Sequence, residues 1–127
     1  MSGGPYITWA DFLVSSIDWF SVGSSGSGTR IPDDSASSEY SSNDSAIRGF
    51  YGDCGSRIRL WYKCNPARCS IAVGSIDEAS VQVESLKVNK HIFLREKASW
   101  EVLGDDGLEP YQGFSEEDYP TEDRRVG

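Results

Sequence analysis

Apolar and polar residues change places along this chain in short runs, and no stretch sustains the 3.6-residue period of a helix. Residues 57–63, RIRLWYK, open with charged and apolar side chains in turn, the pattern of a half-buried strand. Residues 69–73, CSIAV, form a short β-prone run closed by Gly74, and Asn65-Pro66 between the two runs predicts a reversal. Residues 7–14, 17–22 and 90–94 are rich in β-branched and aromatic side chains and predict three more strands. The nearest approach to a helix is 78–86, where Ala79, Val83 and Leu86 fall near one face. The pattern predicts a mostly β protein without internal repeats.

Two stretches fall outside this pattern. Residues 21–46 hold ten Ser among 26 residues, with the punctuation SSGSGT, and predict a flexible loop joining two ordered halves. Gly26 and Gly28 lack the spacing of a phosphate-binding loop, and Asn43-Asp44-Ser45 reads as a chance glycosylation match in a Ser-rich loop. Residues 104–127 carry eight acids and two Arg with no helical or strand period, and predict an extended or disordered acidic tail. The twelve acids and ten bases that remain leave the body nearly neutral. The formal charge of −8 is therefore mostly a property of the tail.

With 127 residues and 14.0 kDa the chain fits one domain with a modest core, which excludes the large enzyme folds. Four Trp, six Tyr and five Phe supply enough bulk to pack that core. A sequence pI near 4.5 has the wrong sign for a nucleic-acid backbone or an anionic membrane surface. The opening MSGGPYITWADFLVSSIDWF has no basic start and no unbroken apolar run, so it predicts neither a signal peptide nor a membrane span, and a cytoplasmic location follows. Reduced thiols are expected there, although Cys64 and Cys69 flank a turn-like NPAR that would let them meet.

Candidate chemistry is sparse. GxSxG is absent, and any Ser or Cys dyad would have to use His91, the only His. The acidic pairs at Asp105-Asp106 and in Glu116-Glu117-Asp118 read as solvated charge. Cys54, Cys64, Cys69 and His91 are enough for one tetrahedral zinc site, yet their spacing lacks the two tight pairs that structural zinc uses. Cys69 in an apolar run reads as a small core residue, and His91 as a half-buried, satisfied side chain.

Several segments, in order, resemble a known family. RGFYGDCGSRI (48–58), IAVGSID (71–77), HIFLREKASW (91–100) and DDGLEPYQGF (105–114) are similar to the second half of the glutathione-dependent formaldehyde-activating family, also called the centromere protein V family. SGGPYITWADF (2–12) looks like the segment after that family's central CxxC, and EYSS (39–42) like the end of the strand before its FCxxCGS motif. The resemblance spans about 110 residues of the chain. It implies an Mss4-like fold of small β-sheets around zinc, and carbon–sulfur lyase chemistry on adducts of glutathione with a small aldehyde. It places a partial domain over residues 1–114 and an acidic tail over 115–127.

The sequence departs from that pattern at the metal ligands. FCxxCGS reads FYGDCGS, so Cys54 matches the second Cys and Tyr51 stands in place of the first. The family's CxC and central CxxC are absent, which implies an N-terminally truncated domain whose zinc is not held by this chain alone. Three readings follow: a lyase by kinship, a non-catalytic β-domain or interaction module, and an incomplete gene model of an active lyase. Glutathione or a small thiol adduct is the implied partner, with Arg48 and Arg57 available to its carboxylates, and a truncated sheet would expose an edge for self-association. Phe93 and Trp100 read as core aromatics, Lys97 as a surface charge, and Gly55 and Gly74 as turn residues.

Overall fold

A computed structural model describes residues 6–22, 28–41 and 43–115. They are mostly β, with short 3-10 turns between strands and no helix of seven residues or more. They fall into two units: Thr8–Ile76, and residues 77–115 together with Tyr6 and Ile7. No helix among the described residues is long and apolar enough to cross a membrane.

The first unit is built on a five-stranded antiparallel sheet. Its strands are β1 (Trp9–Leu13), β4 (Ser38–Ser41), β5 (Ala46–Phe50), β6 (Arg57–Tyr62) and β7 (Arg68–Ala72), in the spatial order β1-β7-β6-β5-β4. The hairpin between β6 and β7 turns at Asn65-Pro66, where the amide of Asn65 donates to the carbonyl of Tyr62. The hairpin between β4 and β5 closes on Asn43, whose Oδ1 accepts from the amides of Ser45 and Ala46, each at 2.9 Å. β2 (Trp19–Val22) and β3 (Gly28–Ile31) form a separate antiparallel ribbon.

One row of residues crosses the whole sheet: Glu39, Gly49, Arg59, Ile71 and Ala10, each opposite the next. Arg59 stands on the central strand of this row and is wholly buried. Because Gly49 on the adjacent strand has no side chain, the Arg59 stem runs across β5 toward β4. A Cβ on Gly49 would stand 2.6 Å from both Arg59 Cγ and Ser37 Oγ. Arg59 Nε donates to Ser37 Oγ at 2.8 Å, Nη1 to Asp33 Oδ1 at 2.9 Å, and Nη2 to the Asp33 carbonyl and to Glu39 Oε1 at 2.8 and 3.2 Å. The guanidinium carbon lies 3.8 Å from the centre of the Trp61 ring and 4.7 Å from that of Trp19. Two carboxylates and two aromatic faces offset the cost of taking this cation out of water. No buried side-chain nitrogen or oxygen among the described residues lacks a partner.

In the second unit, β8 (Lys90–His91) and β9 (Glu109–Pro110) pair in parallel over two residues each. Phe93 meets Phe114 edge to face, with centroids 4.8 Å apart. Lys90 Nζ donates to Ser115 Oγ at 3.1 Å. Lys97, exposed as the sequence suggested, donates to the carbonyls of Ala98 and Glu101 and holds that turn.

The structure corrects several expectations. The Ser-rich stretch 21–46 is not one loop, since β3, a 3-10 turn at Asp33–Ser35 and β4 lie within it. The stretch 78–86 forms two separate 3-10 turns, Glu78–Ser80 and Val83–Leu86, because Asp77 caps Ala79 and Val81 is extended at φ −129°. A 3-10 period of three does not keep the face that a helical period would have built. The strand expected over 90–94 stops after His91, because Phe93 adopts φ 57° and starts a 3-10 turn at Leu94–Glu96. Within the stretch read as an extended tail, residues 104–107 and β9 are exposed, whereas Phe114 and Ser115 are buried; residues 116–127 lie outside the described residues. Trp100 is not a core aromatic, being 74% exposed, and on the charged side of RIRLWYK Arg57 is exposed but Arg59 is buried.

The close approach over Gly49 gives a direct test. Gly49→Ala is expected to lower the unfolding free energy by about 1–3 kcal/mol, since neither Arg59 nor Ser37 can withdraw without giving up a hydrogen bond. Gly74→Ala, where a Cβ meets nothing within 4 Å, is expected to stay within about 0.5 kcal/mol of the parent in urea unfolding.

Candidate functional site

The residues that the family pattern singles out sit at the tip of the β5–β6 hairpin. The register shifts between Gly49 and Phe50, so Phe50 pairs with Arg57 and the hairpin end is bent by a bulge. Beyond it the Tyr51 amide donates to the Ser56 carbonyl at 2.8 Å, and the Gly55 amide to the Tyr51 carbonyl at 2.7 Å. Gly55 takes φ 73°, a conformation that favours glycine, as its turn reading required.

Inside this turn the side chains pair locally. The Cys54 thiol donates to Ser56 Oγ at 3.1 Å and is exposed. The Ser56 hydroxyl can turn to donate to the thiolate, and this, helped by the Ser56 amide, holds the Cys54 pKa below the ordinary thiol value. Tyr51 is half exposed. The Asp53 carboxylate, as acceptor and as a negative charge, pushes the Tyr51 pKa up, so the phenol stays protonated. The tip therefore offers one thiolate-forming group beside a neutral phenol.

The other candidate ligands are placed elsewhere. Cys54 precedes β6 and Cys64 follows it, so the strand's six residues separate them by about 20 Å at roughly 3.3 Å per residue. Cys69 is buried in β7, where desolvation pushes its thiol up to about 11 despite the nearby Arg59 charge. Its core reading stands, and it is not bridged to Cys64. His91 belongs to the second unit. No group of three or more His, Cys, Asp or Glu side chains gathers as a metal-ligand set among the described residues. A tetrahedral zinc ion needs several converging thiolates or imidazoles, and the donors at the tip do not fit one. Arg48 lies in β5 opposite Leu60, and Arg57, exposed, opens β6 opposite Phe50.

His91 is half-buried, as expected, and its partner is one that sequence reasoning passed over. His91 Nε2 lies 2.7 Å from Asp106 Oδ2, while Asp106 Oδ1 accepts from the Leu108 amide at 3.0 Å. These bonds, that of His91 first, lower the Asp106 pKa. Asp105-Asp106 had the look of solvated charge. The available signal was the Asp-Gly step, because Gly107 at φ 73° turns the chain so that the Asp106 side chain caps its own loop.

Two measurements follow from these environments. In Ellman titration of the native protein Cys54 is expected to react first, with a pH midpoint below that of a free cysteine, and Cys69 only on unfolding. Asp106 has a depressed folded pKa, so its stabilising contribution is present above the unfolded carboxylate pKa of about 3.9 and is lost as pH falls through the folded value. Asp106→Asn is thus expected to be less stable than the parent at neutral pH, with the difference shrinking in acid when both are unfolded by urea.

No family model matches the chain, and neither a curated protein nor a solved structure does so.

Proposed function

We propose that this protein is a diverged relative of the glutathione-dependent formaldehyde-activating family, with an Mss4-like scaffold, that binds a thiol adduct or a protein partner and does not carry out zinc-dependent carbon–sulfur lysis. The kinship rests on the ordered segments 48–58, 71–77, 91–100 and 105–114. The loss of chemistry rests on one observation above all: where the family pairs two cysteines, a tyrosine stands at position 51, and Cys54 is bonded to Ser56. A phenol kept protonated by its carboxylate neighbour is a poor zinc ligand, because metal binding requires deprotonated donors. Zinc is accordingly no part of the proposed function, and no step is routed through it. The cytoplasm is the proposed location, since a reducing compartment suits a chain whose three cysteines form no disulfide.

Metal content and turnover test this reading together. The purified 127-residue chain, incubated with zinc and dialysed, is expected to retain well below one equivalent and to leave the S-hydroxymethyl adduct of glutathione at its uncatalysed rate of decay. Stoichiometric zinc with turnover of the adduct would overturn the proposal and restore the lyase reading.

A further inference from the structure

We propose that the β2–β3 ribbon and the 3-10 turn Asp33–Ser35 form a strap that Arg59 latches to the sheet, and that the strap opens while the five-stranded sheet stays folded. The strap consists of the β2–β3 ribbon and the 3-10 turn Asp33–Ser35, and the ribbon belongs to a sheet of its own. A two-stranded ribbon of four residues a side is marginal in water and depends on what it packs against. Among its described side chains only one end pair is half-buried. Trp19 and Ile31, opposite each other, are half-buried, while Phe20, Ser21, Thr29 and Arg30 are exposed.

Both ends of the strap converge on one side chain. At its start the Trp19 ring lies over the Arg59 guanidinium at 4.7 Å. At its end Asp33 fills the fork of the same guanidinium, with Oδ1 on Nη1 and its carbonyl on Nη2. Arg59 keeps its remaining contacts when the strap leaves: Trp61 lies on its own strand, and Glu39 lies on β4, a member of the sheet. Opening thus separates the ribbon from the sheet without breaking a strand pair within it. Asp33 is half exposed, so water can replace the protein partner on the carboxylate side as the contact breaks. Such sub-global opening is the ordinary behaviour of an element held by few contacts.

Trypsin reads this motion, because Arg30 is the only Lys or Arg within 19–35, whereas Arg48 and Arg59 lie inside sheet strands. In native-state digestion of the full chain, cleavage after Arg30 is expected to run well ahead of cleavage after Arg48 and Arg59. Asp33→Ala, which removes a charge-assisted bond, is expected to raise the ratio of the two rates by roughly tenfold or more, and Trp19→Ala to raise it as well. Neither variant alters a strand of the five-stranded sheet, so each is expected to keep the β signature of the parent in circular dichroism. If the three bonds are cut together in the parent, or if neither variant changes the ratio, the strap does not open as proposed.

Discussion

A single buried cation organises the first unit. The Arg59 guanidinium is removed from water entirely, and so large a desolvation cost is tolerated only when strong partners surround the charge. Those partners come from five places in the chain: Trp19 on β2, the Asp33 turn, Ser37 just before β4, Glu39 on β4, and Trp61 two residues along β6. Each has little reason to stay in place alone. Together they bring a ribbon, a turn and an outer strand to a common point on one face of the sheet.

The fork shape of the guanidinium matters as much as its charge. Its three nitrogens aim at separate acceptors while its flat face lies on indole rings, a combination an ammonium group cannot reproduce. Room for it depends on Gly49, and the register slip immediately after Gly49 bends the hairpin that carries Tyr51 and Cys54. The packing of Arg59 and the placement of the hairpin tip therefore share a short piece of β5. At that tip, hydrogen bonds within residues 51–56 do the closing, so its geometry needs only groups present in the turn itself.

The sequence was legible where its signals were local. The strands at 57–62 and 68–72 and the reversal at Asn65-Pro66 emerged from period two and turn chemistry, and Cys69 was readable as a core thiol from its apolar run. Long-range partnerships were not legible. Arg59 has the look of a solvent-facing charge in RIRLWYK, and only the folded register reveals that Gly49 opens a path for it and that Glu39 waits on the next strand. β3 and β4 lay hidden in Ser-rich sequence, because pairing supplied what propensity withheld. Likewise the tip was marked by FYGDCGS, yet the pairing of Cys54 with Ser56 follows from turn geometry that spacing alone does not state.

The most direct measurement is the urea-unfolding free energy of Arg59→Lys. Lysine keeps the charge and most of the stem but gives up the fork and the planar stack. If the guanidinium is what joins these segments, the variant should lose at least about 2 kcal/mol, the scale of one or two charge-assisted hydrogen bonds in a buried setting. A variant within about 0.5 kcal/mol of the parent would show that a buried positive charge suffices and that the fork of Arg59 does not hold the fold together.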